Sequence, residues 1–305
     1  MAGPDIVKKF LLEDRSVRVV AVSLQETWQL AKQNQSQSSA VTTVLGELVA
    51  CAAMITATLK FDGSLMLQLR GNGAVKLIVV ECRNDHSLRA TAKLRRPLHE
   101  GETGLKTLLN EDGLGHFSVI LTPPSDTPGM QPYQGIVPLT GDSVSQSLQA
   151  YMEQSEQLET RMWLNVQPDK LTGLLLQRMP VTGGASATSQ QQADESWEHA
   201  QALFETLSSE EMSSADIDTL IHRLFWQTPI VNLDESEVTW RCGCTRERVA
   251  TMLRSLGEQE VSEIIQEQGS VKVTCEFCAT PYAFDAVDAA SLFSQAPQDA
   301  SGTFH

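Results

Sequence analysis

Basic side chains are what this chain has least of. It carries 23 Lys and Arg against 38 Asp and Glu in 305 residues, a formal net charge of −15. Nucleic-acid binding draws most of its affinity from Lys and Arg at phosphates, so that partner class is not expected. The deficit is local. Residues 1–188 hold 18 acidic and 17 basic side chains, a net of −1, while residues 189–241 hold 11 against 2, a net of −9. Residues 242–305 hold 9 against 4, a net of −5. Solvated helix faces are the plain reading of such an excess. Long apolar runs are lacking too. The longest, around Leu48–Leu59, is broken by threonines and reads as too short and too mixed to cross a bilayer. Met1 to Arg18 has no apolar core with a small-residue cleavage site, so no secretory signal is expected. The expected location is cytoplasmic. In that reducing compartment cysteines serve as metal ligands or redox groups rather than as structural disulfides.

A catalytic constellation is also lacking, and no enzyme is expected. Asp85-His86-Ser87 looks suggestive when read consecutively, but a triad needs groups that converge, and adjacent residues point apart. His99, His116, His199, His222 and His305 are scattered without metal-ligand spacing. Gly71-Asn72-Gly73 reads as a hairpin turn, because no helix opens behind it to make a phosphate loop.

What the chain does have is a concentrated set of thiols. Four of its six cysteines form two tight pairs, Cys242-Gly243-Cys244 and Cys275-Glu276-Phe277-Cys278, separated by residues 245–274. Each pair can grip one metal ion from a single turn. Together they complete the four-sulfur tetrahedron that zinc prefers, with no open position. One zinc per chain on Cys242, Cys244, Cys275 and Cys278 is the expectation. Ordinary zinc ribbons place two or more residues inside each pair, so the single Gly243 is a departure. Cys51 and Cys82 read as buried core thiols.

Around this motif the pattern predicts an α+β protein: a mixed sheet and helix core, a helical linker region and a small C-terminal zinc-binding domain built on four cysteines. In the core, residues 1–188, Val17–Val22 reads as a first strand and a long helix follows Ser38 and Ser39. Strands are predicted at Leu65–Leu69, Lys76–Cys82, Leu88–Leu94, His116–Leu121, Gln134–Leu139, Arg161–Val166 and Leu171–Arg178. Short helices are predicted at Gly104–Asn110 and after a Ser143 cap. The polar stretch at residues 183–192 reads as a linker that cannot order itself. In residues 189–241 two amphipathic helices follow. One carries the stripe Trp197, Ala200, Phe204, Leu207; the other, after a Ser213/Ser214 cap, carries Ile217, Leu220, Ile221, Leu224, Phe225. Such helices must lie on another surface, permanently or reversibly. Residues 242–305 offer two helices ended at Gly257 and Gly269, a short strand on each side of the second cysteine pair, and a last helix. Their core is thin, so folding should depend on the metal.

The chain resembles the family of redox-regulated holdase chaperones, the 33-kilodalton heat-shock protein. The resemblance runs over the whole length. It rests on the two cysteine pairs at their interval, on Gln134-Gly135-x-Val137-x-Leu139 and on Tyr151-Met152-x-x-Ser155-Glu156-Gln157. It implies an ATP-independent chaperone kept off by zinc on four reduced cysteines. Under oxidative stress the redox-active centre forms disulfides Cys242–Cys244 and Cys275–Cys278. Zinc is then lost, the C-terminal region unfolds and the linker helices loosen. The active form is a homodimer that protects unfolding proteins from aggregation and later hands them to ATP-driven foldases. Trp197, Phe204, Ile217, Leu224 and Phe225 would then offer apolar sites to clients. A one-residue spacer gives a tight disulfide ring that should be readily reduced again, and Arg241, Arg246 and Arg248 beside the first pair would favour thiolate. The alternative is a structural zinc module that mediates a protein–protein interaction. A thiol–disulfide exchange enzyme is the third possibility, and it would need an exposed low-pKa cysteine free of metal.

Overall fold

The computed structural model describes residues 4–33, 38–124, 129–180 and 187–294. Two compact units meet in sequence between Arg241 and Cys242. The first runs β1 (Ile6–Leu12), β2 (Val17–Leu24), α1 (Glu26–Gln33), α2 (Ser39–Thr58), β3 (Ser64–Arg70), β4 (Val75–Arg83), β5 (Ser87–Leu94), α3 (Leu105–Leu109), β6 (His116–Thr122), β7 (Tyr133–Pro138), α4 (Val144–Ser155), β8 (Thr160–Val166), β9 (Leu171–Arg178), α5 (Ala187–Glu205), α6 (Ser209–Ser214), α7 (Ile217–Phe225), β10 (Ile230–Glu237) and β11 (Thr239–Trp240).

Two sheets organise this unit. One is five-stranded in the order β10-β1-β2-β9-β8, antiparallel throughout; the other is six-stranded in the order β11-β5-β4-β3-β6-β7, antiparallel except where β11 joins β5. Between the sheets lies α2, which packs on strands of both. Ser38 caps it by accepting the Val41 N–H, and fourteen of its twenty residues are buried. The helix comes close to β9 because small residues face each other: a Cβ on Gly173 would meet Met54 Cε at 3.0 Å and Ala50 Cβ at 3.2 Å. By length and composition α2 would suffice to cross a membrane, which corrects the expectation from the broken apolar run. Its burial between two sheets accounts for that composition.

Strand β2 is apolar on both faces because both are covered. Val20, Val22 and Leu24 point into the core around α2, while Val17, Val19 and Ala21 point outward into a second core. The same two-residue period sends Leu171 and Leu175 of β9 inward and Leu174 and Leu176 outward. That outer face is roofed by α5, α6 and α7.

Several expectations need correction. Val17–Val22 belongs to the second strand, not the first; Lys8 and Lys9 disguise β1. Helix α1 was not legible either. Residues 187–192 of the polar stretch form the first turns of α5, and residues 183–186 lie outside the described residues. The cap of α7 is Asp216, which accepts the Thr219 N–H at 2.7 Å, because Ser213 and Ser214 are occupied in α6. The expected helical linker also contains two strands, β10 and β11, one for each sheet.

The second unit contains α8 (Arg246–Leu256), α9 (Glu258–Gln268), β12 (Val271–Thr274), β13 (Pro281–Phe284) and α10 (Ala286–Ser294). Thr245 caps α8 by accepting the Arg248 N–H, and Gly269, at φ 73°, closes α9 in the left-handed conformation. Its buried apolar core is Ala250, Leu253, Val261, Val271, Phe284, Ala289 and Leu292.

Candidate metal centre

Two short segments deliver the four sulfurs. Cys242 and Cys244 lie in the extended stretch that leads into the Thr245 cap. Cys275 and Cys278 lie in the turn between β12 and β13. That turn is fixed by its backbone: Cys275 N–H donates to Thr280 O at 2.9 Å and Ala279 N–H donates to Cys275 O at 2.8 Å. Ala279 takes a left-handed φ of 55° to allow it. On the other side, Arg248 Nη1 donates to Gly243 O at 2.7 Å and holds the Cys-Gly-Cys backbone.

The four sulfurs all lie within 4.8 Å of one another. Cys242 Sγ is 3.6 Å from Cys275 Sγ, and Cys244 Sγ is 3.2 Å from Cys278 Sγ. A tetrahedral ion with metal–sulfur bonds near 2.3 Å would set neighbouring sulfurs about 3.8 Å apart. The cluster therefore has the size and the donor set of a closed four-thiolate site. Among the described residues it is the one group of His, Cys, Asp or Glu gathered closely enough to hold an ion. No disulfide links the described cysteines.

Hydroxyl groups adjust this cluster. Tyr282 OH donates to Cys244 Sγ at 3.2 Å, and Thr280 Oγ1 lies 3.1 Å from Cys278 Sγ. Burial pushes the Cys278 thiol up, but hydrogen bonds from the Thr280 hydroxyl and N–H and from neighbouring thiols outweigh it and bring Cys278 down to about 6. Burial, and the hydrogen bonds its thiol makes to neighbouring sulfurs, push Cys242 up to about 12. The arginines expected to favour thiolate do not reach a sulfur. Arg246 donates to Ala283 O and Asp288 and lies over the Phe284 ring at 4.1 Å, while Arg241 stands 3.9 Å from Asp85. Thr280 and Tyr282 were missed; their place just beyond Cys278, two and four residues on, was the available signal.

The other thiols are core groups. Cys51 and Cys82 are fully buried, and burial raises Cys82 to about 12. Asp85 Oδ1 accepts from both the N–H and the hydroxyl of Ser87, at 3.0 and 2.6 Å, which is a turn and not a triad.

Trp197, Phe204, Ile217, Leu224 and Phe225 come together on the outer face of the five-stranded sheet, all buried. Phe204 packs against Trp163 at 5.0 Å and Phe225 at 5.8 Å between ring centres. A polar hem, not foreseen, ties α6 to the same sheet. Lys170 Nζ donates to Ser213 O and Ala215 O at 2.9 and 2.7 Å, Thr172 Oγ1 to Met212 O at 2.9 Å, and Asn165 Nδ2 to Ser209 O at 3.1 Å. Trp197 Nε1 is buried without a hydrogen-bond partner.

The profile of the Hsp33 protein family matches residues 5–285. This chain belongs to the Hsp33 family. Among its relatives is a 33 kDa chaperonin of Chromobacterium violaceum, 42% identical over 289 residues that cover 95% of this chain and 94% of that one. A 33 kDa chaperonin of Pseudomonas syringae is 38% identical over 291 residues, covering 95% and 94%. The crystal structure of a 33 kDa chaperonin from Thermotoga maritima has the same fold, with a TM-score of 0.78, 21% identity and coverage of 96% of this chain and 98% of that one.

The two core segments that carried the resemblance to the Hsp33 family meet in space. A Cβ on Gly135 would fall 2.7 Å from the Tyr151 ring, so glycine lets α4 approach β7. Tyr151 OH donates to Glu156 Oε1 at 2.7 Å. These residues set packing inside the first unit and take no part in the sulfur cluster.

Proposed function

We propose that this Hsp33 family member is an ATP-independent holdase, switched off by zinc on Cys242, Cys244, Cys275 and Cys278 and switched on by oxidation. The observation that carries the reading is the closed four-sulfur cluster in a unit whose apolar core is too thin to fold strongly alone. Zinc, when bound, holds all four sulfurs as thiolates and adds its binding energy, roughly 10–16 kcal/mol, to folding.

Oxidation undoes this arrangement. A thiolate of each pair attacks peroxide, and the resulting sulfenic sulfur is attacked by its neighbour, so each pair loses two electrons and the peroxide leaves as two waters. The bonds are Cys242–Cys244 and Cys275–Cys278. In the cluster, however, the sulfurs also meet across the pairs, Cys242 with Cys275 at 3.6 Å and Cys244 with Cys278 at 3.2 Å. Closing the local bonds draws the sulfurs out of the cluster, so oxidation and loss of the metal-holding geometry are one event.

Residues 242–305 then unfold, and the chain they leave behind is the acidic segment of residues 189–241. Its helices rest on the outer sheet face through a buried but imperfect contact: the unpaired Trp197 Nε1 costs the docked state about 1–3 kcal/mol. Once they loosen, their apolar stripes and the sheet beneath offer surface to unfolding proteins in the cytoplasm, and the acidic excess keeps the open form soluble. A homodimer is the active form, and ATP-driven foldases receive the clients. The test is aggregation of a heat-unfolded client with the reduced and the peroxide-treated protein. Protection by the treated form alone is expected; equal protection, or none in either state, overturns the reading.

A further inference from the structure

Strand β10 is held in an unusual way. It pairs with β1 along its whole length, from Ile6 opposite Glu237 to Leu12 opposite Ile230, with Leu233 skipped between Lys9 and Phe10. Yet it buries almost nothing. Val231 and Leu233 are 51% and 53% exposed, and no residue of the strand is fully buried. Apart from the backbone ladder and Ile230, which packs half-buried against the outer core at the end of the strand, its hold on β1 is ionic: Lys8 Nζ lies 2.8 Å from Glu235 and Lys9 Nζ lies 3.0 Å from Asp234. Lys8 also pairs with Asp218 of α7 at 2.8 Å. A ladder is blind to sequence, and the lysines ask only for carboxylates. Any extended segment with acidic residues at matched positions could take the same place.

We propose that the edge of β1 is itself a client site, which takes up extended, acid-bearing segments of unfolded chains by adding them to the five-stranded sheet. Strand β10 is the chain's own occupant of that site. The inference rests on the holdase reading above and names the kind of client segment that reading leaves open. When the helices and β10 loosen, β1 presents a row of unpaired N–H and C=O groups, which is the template for strand addition. Lys8 and Lys9, on successive residues, point to opposite faces of the strand. They recruit carboxylates from both faces, whatever apolar residues lie between.

The probe is a synthetic peptide with the sequence of Ile230–Glu237, added to the full-length protein before and after peroxide treatment. Amide exchange in β1 and aggregation of a heat-unfolded client are measured on the same samples. Expected is binding to the oxidised chain, with residues 6–12 protected. A peptide with Asp234, Glu235 and Glu237 changed to Lys should bind about tenfold more weakly, and K8E/K9E should restore it. An oxidised chain that holds the client while β1 exchanges equally with and without peptide overturns the proposal and leaves the holdase reading standing. A charge-reversed peptide that binds the wild type equally well also overturns it. The exchange measurement uses the wild-type chain, so it decides even where K8E/K9E does not fold. An oxidised chain that holds no client removes the holdase reading and this inference with it.

Discussion

The five-stranded sheet wears two helical covers, and they are built on opposite terms. Its inner face carries α2, a helix with one charged residue, Glu47, packed through small residues into a core shared with the second sheet. Its outer face carries α5, α6 and α7, amphipathic helices with acidic outer surfaces and a hem of hydrogen bonds along one side. The apolar residues of the sheet are similar on both faces: Val20, Val22 and Leu175 inward, Val17, Val19 and Leu174 outward. The difference therefore lies in the covers. A helix buried all round has nowhere else to go. A helix apolar on one side and acidic on the other is soluble when released, so its docking can be reversible.

The largest expected effect comes from the metal unit. On the proposed zinc reading, Cys278→Ser or a chelator should take away the metal's contribution to the folding of residues 242–305, which is roughly 10–16 kcal/mol for a structural zinc. Far-UV circular dichroism should lose the contribution of α8, α9 and α10. Amide exchange should quicken in α5–α7 and stay unchanged in α2. A variant in which both covers loosen together would erase the distinction between them. Next in size are truncations beneath each cover. Phe204→Ala should cost about 3–5 kcal/mol and Leu48→Ala about 2–5 kcal/mol. The costs overlap but the outcomes differ: reduced Phe204→Ala should gain client holding, and reduced Leu48→Ala should only melt earlier. Thermal denaturation and an aggregation assay on the same two variants separate them.

The inner cover was legible in the sequence and the outer one only half so, for a physical reason. A core helix shows as an apolar run behind a serine cap, and Ser38 is that cap. The cysteine pairs were legible because ligand spacing is local. The stripes of α5 and α7 were visible too, since a 3.6-residue period survives in sequence. What they dock against was not: Phe10 and Leu12 sit in a strand that Lys8 and Lys9 disguise. The lysines belong there because they hold β10, a partner more than two hundred residues away. Lys170, Thr172 and Asn165 escaped for the same cause, as donors whose acceptors are distant carbonyls. In the second unit, hydroxyls rather than arginines reach the sulfurs. Nearness in sequence to Cys242 did not fix where the long arginine side chains would go.

The hem gives a smaller and more specific test. Lys170→Met keeps most of the side-chain volume but removes the charged donor to Ser213 O and Ala215 O. Hydrogen bonds to charged groups are worth about 1.5–3 kcal/mol, so α6 should loosen by that order. Exchange of the α6 amides should rise while α2 is unmoved, and less peroxide should be needed for client holding. A Lys170→Met protein with wild-type exchange in α6 would mean that the apolar stripe alone holds the outer cover.

Acid should separate the covers most gently, because their carboxylates are shifted in opposite senses. On the outer side, the Thr219 N–H and then its hydroxyl hold Asp216 below 3.8, and the Ser208 N–H holds Glu211 below 4.5. A group depressed in the folded state contributes stability that is present above its unfolded value and is lost as pH falls through the folded one. The outer cover should therefore weaken as pH drops below the ordinary carboxylate range. On the inner side, burial raises Glu47 above 4.5, against one hydrogen bond from the Val144 N–H. Its sign is reversed: the buried charge disfavours folding at neutral pH, and protonation on the way down relieves it. Amide exchange followed from pH 6 towards pH 3, corrected for the intrinsic rate, should show α6 and α7 losing protection before α2. If α2 loses protection first, the inner helix is the weaker cover and the comparison between the two faces fails.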